Sequence, residues 1–492
     1  MAIRLERSAP PRAIDSRSPP TSAAAVTGPG GPGSRPAAPI VRVLLVVVNL
    51  AAVVFYQLTL RKGRISFGPY RIDLDVYRIG SSVWLRHGNL YGVLPTTSSG
   101  ARLPFSYPPI AAMLLSPLSL VPMAVAGAAL TLFSIALTAV VLRVFLRSVA
   151  GPRAGSWWTL AWLLPVGLFL EPVRNTLDYG QVNIALMALV TADCLTPNPR
   201  WPRGAAVGLA AAVKLTPAAF VLFFLCRGDK RAAGTAAVSF AAATAAGFLL
   251  AWHDSVRYWT SIVFQTGRAG DLIYAANQSI QAVLGRAGLG PGTPAGTAVW
   301  LALSVVVLVL AACGMRDALA RSADAWALSL NAFAALLISP ISWSHHWVWA
   351  VPGLLTLAVL SRRRRHRAGL ATAAAGLVIF AAAPQWWFPF GDNRESHWAV
   401  WQQIIGSSYV IFAVVVLLLA ATVWRLRPLA EEGTWVGADQ APGLVADPGE
   451  DQRGSVRASQ LQPTVDLLHV TGEAAAPQVG RAHAEVAQPP SE

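Results

Sequence analysis

Few residues in this chain are suited to chemistry, and they sit in short stretches of an otherwise apolar sequence. Ile72-Asp-Leu-Asp-Val-Tyr-Arg-Ile-Gly80 carries Asp73, Asp75 and Tyr77, and Phe105-Ser-Tyr-Pro-Pro109 carries Tyr107. Arg174 precedes Gly180-Gln-Val-Asn183, which holds Gln181 and Asn183. Lys214 opens Lys214-Leu-Thr-Pro217, and Asn277-Gln-Ser279 supplies Asn277 and Gln278. Ser339-Pro-Ile-Ser-Trp-Ser-His-His346 ends on His345 and His346. A carboxylate can take the proton from an attacking hydroxyl. Cations stabilise charge building on a departing phosphate, guanidinium with the tighter geometry. The set therefore suits transfer of a group away from an anionic phosphate, and a lipid-linked phosphosugar fits such a site at a membrane surface. No Walker loop, dinucleotide glycine pattern or His-Glu-x-x-His is present, so a nucleotide substrate and a zinc protease lack support. Cys194, Cys226 and Cys313 show no metal or disulfide spacing.

Each of these residues also has a plainer reading. Asp73 could N-cap a helix over Leu74–His87. On that helix it shares a face with Tyr77, while Asp75 points away toward solvent. Lys214 could snorkel to a membrane interface. The histidines could belong to an aromatic belt with Trp343 and Trp347, and the Gln181 and Asn183 amides could join helices. Tyr107 beside Pro108-Pro109 reads as a shape element.

The elements that must position these residues are membrane spans. The 492-residue chain is 54% hydrophobic and 13% charged, where soluble domains carry about 25% charged residues. A soluble enzyme is thereby excluded, and the net charge of +15 falls between apolar runs rather than in a nucleic-acid patch. Spans of ~20 apolar residues are expected near 41–60, 123–146, 157–171, 181–197, 204–226, 231–252, 297–315, 324–339, 346–361, 367–384 and 401–424. Lys214 and Pro217 break the fifth into a hairpin or two half-spans, giving 11–12 crossings. Residues 1–40 and 427–492 read as disordered cytoplasmic ends flanking one membrane domain, 41–426.

With the N-terminus inside, the short inner loops collect Arg143, Arg147, Arg153, Arg200, Arg203, Arg227, Lys230, Arg231, Arg316, Arg321 and the Arg362–Arg365 run with Arg367. That is the positive-inside pattern, provided 105–122 stays on the outer face as a re-entrant or interfacial helix. The arginine run is then topological or lipid-binding. Every chemistry-bearing stretch falls on the outer side. Ionisable groups at membrane depth are costly, so their convergence marks a functional site.

Taken together, these motifs, with Leu90-Tyr91, resemble the polyprenyl-phosphate-mannose-dependent alpha-1,2-mannosyltransferases of actinobacteria, within the C-type membrane glycosyltransferase superfamily. The resemblance spans about residues 41–425. It implies an all-α polytopic fold with an extracytoplasmic site in the cell membrane. It further implies inverting single displacement of mannose from polyprenyl phosphomannose to a mannosylated lipid or polysaccharide. Asp73 would be the base, with His345 and His346 the other catalytic residues, and Asp75 the weaker acid. Tyr77, Tyr107, Gln181, Asn183, Asn277 and Gln278 would bind substrate. Arg174 and Lys214 as phosphate contacts rest on their charge more than on motif. No nucleotide, haem or flavin cofactor is implied; a divalent ion is compatible with some relatives, but Asp73 and Asp75 alone would make a poor metal site, so no metal is expected. Two other readings remain: a transporter or flippase of a lipid-linked or anionic solute, and a related enzyme using another polyprenyl phosphosugar such as arabinofuranose. Transporters commonly break helices in both halves, and only 204–226 reads as broken.

Overall fold

The computed structural model describes residues 39–61, 64–67, 70–290 and 292–424. The disordered ends expected from composition lie outside them. Within the described residues the first half runs α1 (Pro39–Gln57), α2 (Ile72–Leu85), α3 (Pro109–Leu114), α4 (Ser116–Ser119), α5 (Met123–Ala150) and α6 (Trp157–Phe169). It continues through α7 (Glu171–Tyr179), α8 (Asn183–Leu195), α9 (Ala205–Val213) and α10 (Val221–Arg227). The second half runs α11 (Lys230–Leu250), α12 (Trp252–Thr260), α13 (Ile280–Arg286), α14 (Pro294–Ala320) and α15 (Asp324–Ile338). It ends with α16 (Ala350–Arg363), α17 (Arg367–Ala382), α18 (Val400–Gly406) and α19 (Ser408–Thr422). One small hairpin, which the apolar pattern did not announce, joins α1 to α2. Its strands β1 (Leu58–Arg61) and β2 (Arg64–Phe67) pair antiparallel, Leu58 opposite Phe67.

Each of the eleven expected spans coincides with helix. Among the described residues, five stretches are long and apolar enough to cross a bilayer alone: α1, α5, α11, α14 and 367–386. The pair α18–α19, bent by 68°, makes a sixth. Shorter apolar helices such as α6, α8 and α15 lie among them. The chain is a multi-pass membrane protein. α1, α11 and α14 leave apolar residues such as Leu50, Phe55, Leu249 and Val305 exposed, as a lipid solvent allows. The 105–122 stretch forms only the short α3 and α4.

Buried apolar residues from Tyr56 to Ala420 form one continuous core around Tyr77, Phe105, Phe333 and Trp347. Close helix approach depends on small residues. A Cβ on Gly208 would collide with the Ala236 carbonyl, so glycine lets α9 lie directly along α11. Asp193, fully buried at the end of α8, accepts from the Gly204 and Val207 amides at 3.0 and 2.9 Å and from Trp201 Nε1 at 3.0 Å. It satisfies the orphan donors of the first turn of α9 and so fixes the helix that carries Lys214.

Candidate active site

Four chain breaks meet at the site. The first is the start of α2. Arg71 is extended there and Asp73 makes no cap bond, so the capping role does not apply. Instead Asp73 Oδ2 accepts from Gln181 Nε2 at 2.6 Å. The second is the α7–α8 turn, where Gly180 takes φ +72. A Cβ there would stand 2.6 Å from Arg71 Cβ and 2.9 Å from Leu74 Cβ. Only glycine permits both the left-handed turn and the approach to α2 that brings Gln181 to Asp73.

Gln181 then links the acid to two phenols. Tyr77 Oη donates to Gln181 Oε1 at 2.7 Å, Tyr107 Oη donates to the same oxygen at 3.2 Å, and the two hydroxyls are 3.0 Å apart. Tyr77 and Asp73 do share one face of α2, as the spacing predicts.

The third break is Lys214, which leaves α9 with extended dihedrals before a 3-10 turn over Thr216–Phe220. Its Nζ lies 5.6 Å over the Tyr107 ring, donates to Asn183 Oδ1 at 2.9 Å and meets His346 Nε2 at 3.0 Å. An ammonium only donates, so His346 Nε2 accepts. Lys214 therefore faces inward and does not snorkel. The fourth break is the 3-10 turn Ser344–Trp349 between α15 and α16. The His345 carbonyl accepts from Thr176 Oγ1 at 2.7 Å and Asn183 Nδ2 at 3.0 Å. Its ring packs edge-on against Tyr179 and His346, with centroids at 5.1 and 4.8 Å. The buried His345 ring nitrogens have no partner among the described residues.

Eight expected residues thus converge: Asp73, Tyr77, Tyr107, Gln181, Asn183, Lys214, His345 and His346. Burial lifts the Asp73 carboxyl to about 6, against the Gln181 hydrogen bond and the charge of Lys214. A carboxyl poised there can accept a proton near neutral pH. Beside His346, a cavity opens between α8 and α15, lined mainly by apolar residues such as Leu186, Pro217, Phe220, Leu336 and Trp349.

Four expected residues stand apart. Asp75 does not face solvent: it is buried, accepting from Ser98 N at 2.7 Å and Tyr70 Oη at 3.2 Å, and it ties down the following loop. Arg174, half-buried on α7, lies in the field of Asp178 and Glu171 and takes no part in this hydrogen-bond chain. Asn277 and Gln278 are fully buried beneath the histidine turn. Asn277 donates to Leu272 O and Pro340 O at 2.9 and 3.3 Å and accepts from Ser342 N at 2.9 Å. Gln278 donates to Ala275 O and Gly406 O at 3.0 and 2.8 Å. Their geometry is that of supports for the turn.

Two residues escaped the sequence reading. Glu171, fully buried, accepts from Asn175 Nδ2 at 2.6 Å, Trp386 Nε1 at 2.9 Å and Tyr409 Oη at 2.9 Å. It joins α7 to α19 and to the loop after α17. An acid placed directly after the apolar run 157–170 was the available signal. Tyr179 gave none, because an aromatic at a helix end is ordinary. Among the described residues, no three His, Cys, Asp or Glu side chains are grouped to hold a metal ion.

Residues 105–340 match the model of glycosyltransferase family 87. The chain is 38% identical over 387 residues to a polyprenol-phosphate-mannose-dependent alpha-(1-2)-phosphatidylinositol mannoside mannosyltransferase of Mycobacterium tuberculosis. That match covers 76% of this chain and 90% of the relative. The chain belongs to glycosyltransferase family 87. A second relative, a phosphatidylinositol pentamannoside mannosyltransferase of the same organism, is 32% identical over 438 residues, covering 87% of this chain and 93% of its own length. ArnT from Cupriavidus metallidurans, crystallised with undecaprenyl phosphate, is similar at 17% identity and TM-score 0.38, over 78% of each chain. This family 87 chain is a membrane glycosyltransferase, and the motif resemblance identifies its family correctly.

Proposed function

We propose that this chain transfers mannose from a polyprenyl phosphomannose to a mannosylated lipid or polysaccharide. The linkage formed is alpha-1,2, made by one inverting displacement on the extracytoplasmic face of the cell membrane. One observation carries the reading: a carboxylate and an ammonium, Asp73 and Lys214, border one site, linked through Gln181, the Tyr77–Tyr107 pair and the face of the Tyr107 ring.

Asp73 takes the proton of the acceptor hydroxyl as that oxygen bonds to the mannose anomeric carbon. The bond from that carbon to the phosphate oxygen breaks, and the phosphate leaves with the electron pair. Lys214 stabilises the charge arriving on the phosphate, with the unpartnered ring N–H of His345 as a further donor. Tyr77 and Gln181 hold Asp73 toward the acceptor. The apolar cavity beside His346 takes the first part of the polyprenyl chain. Arg174 takes no step in this scheme. The outer location is supported by the arginines collected on the opposite loops. The relatives' names support mannose over arabinofuranose, and competition between polyprenyl phosphosugars tests that choice.

Asp73→Ala in membranes is expected to fold and to lose about 10²–10⁴-fold in mannosyl transfer. Wild-type activity in that variant would remove Asp73 from the base role.

The transporter reading has one structural point in its favour: the bent pair α18–α19 is a second-half counterpart of the break at Lys214, which the sequence did not show. The relatives are named as transferases, which weighs against it. Product formed by the purified chain in detergent, where no second compartment exists, decides for the transferase.

A further inference from the structure

Beside the histidine turn lies an aromatic cluster that the reaction above does not use. Tyr274 is its centre, with Trp343, Trp386 and Phe390 each packed edge-on at 6.1 Å between centroids. Trp386 and Phe390 also meet at 5.1 Å. The cluster is continuous with the reaction centre through its neighbours. Trp343 precedes His345 by two residues, and the Tyr179 ring that touches His345 lies in electrostatic reach of both Asp73 and Tyr274.

A lipid-interface belt also gathers aromatic residues, and adjacent residues show the difference. Trp387 is 61% exposed and donates only to Ala382 O at 3.0 Å in its own helix end. Trp386, its neighbour, is half-buried, with its Nε1 fixed on Glu171. Trp343 is fixed as well: its backbone bridges to Asn277, and its ring lies so close to Gly270 that a Cβ there would come within 2.8 Å. Phe390 remains 41% exposed. Pinned rings that keep partial access cost little entropy to use, which suits a binding platform more than a belt.

We infer that Tyr274, Trp343, Trp386 and Phe390 form the acceptor subsite, stacking a mannose ring behind the one that is extended. A pyranose ring presents a patch of C–H groups on one face and hydroxyls around its rim. Aromatic surface takes the apolar patch while the rim keeps its hydrogen bonds to water. The subsite rests on the mannosyltransferase reading for its ligand and lies on the histidine side of the centre, next to Tyr179. It favours an acceptor of two or more mannose residues over a single one, because one ring must occupy the platform while another meets Asp73.

The test uses the full chain purified in detergent, labelled polyprenyl phosphomannose, and alpha-mannoside acceptors of one and of three residues. Phe390→Ala and Tyr274→Ala are expected to raise the KM of the longer acceptor roughly tenfold. The donor KM should change less than twofold, and the preference for the longer acceptor should disappear. Phe390→Leu keeps apolar volume without a flat ring and should share the defect, which guards against loss of folding as the cause. An unchanged acceptor KM in Phe390→Ala and Phe390→Leu overturns the subsite in favour of a lipid belt. Tryptophan fluorescence titrated with alpha-mannotriose separates the two proposals. A saturable change lost in Tyr274→Ala upholds the platform even if the wild type shows no mannosyl transfer, which would sink the donor reading alone. No saturable change in the wild type overturns the platform.

Discussion

Asp73 illustrates what one residue gains from its neighbours. A carboxyl lifted to about 6 should make kcat/KM fall roughly tenfold per pH unit below that value, because the protonated acid cannot accept the acceptor's proton. A pH–rate profile checks this, and Gln181→Ala, which removes a hydrogen bond favouring the ionised form, should move the midpoint upward. The stability consequence has the opposite sign. A carboxyl whose folded pKa is raised costs stability above its folded pKa, and the cost fades as pH falls toward the unfolded value of 3.8. Asp73→Asn should therefore lose transfer by about the same 10²–10⁴-fold while the melting temperature at pH 7.5 stays equal or rises. A lower one would contradict the assigned cost of ionisation. Glu171 behaves differently, since three donors converge on it. Glu171→Ala leaves them unpaired and should cost on the order of 3 kcal/mol, seen as a lower melting temperature.

The α7–α8 turn shows how an element carries the site. The fragment Gly180-Gln-Val-Asn183 places Gln181 on Asp73 and Asn183 on both Lys214 and the His345 carbonyl, so one turn ties the acid side to the cationic side. Its spacing was readable as a motif, but its meaning was not. The amides looked equally suited to gluing helices, and nothing local says which helices would flank them. Gly180→Ala should cost about 1–2 kcal/mol for the left-handed backbone alone, with the clash against Arg71 in addition. It should lower kcat more than it raises donor KM, because it displaces Gln181 from Asp73. Kinetics alongside a melting curve would separate that from general loss of folding. Asp75 and Asn277 teach the converse: polar residues beside a motif turned out to hold its loops, since burial with backbone partners is a property of the assembled chain.

At the scale of the molecule, the charges divide into two kinds. The arginine run near 362–367 is of the kind expected to set topology, and within it Arg363 donates to Val149 O at 2.8 Å and Ala150 O at 3.2 Å, which ties α16 to the end of α5. If those arginines face the cytoplasm, cysteines introduced at Ser98 and at Arg364 should differ in whole cells. The first should react with an impermeant maleimide, and the second only after lysis; the reverse pattern would invert the assigned sidedness. The sequence by itself determined the solvent class, the helical spans, the break at Lys214 and, through ordered motifs, the family. These follow from composition and local pattern, because a bilayer forces apolar length and satisfied backbone on any chain crossing it. Only the tertiary structure decided which acid meets Gln181, that Lys214 turns to His346, and that Glu171 joins α7 to α19. It also showed the second broken element, the bend between α18 and α19. These contacts link residues more than a hundred positions apart, and packing rather than spacing chooses between such partners.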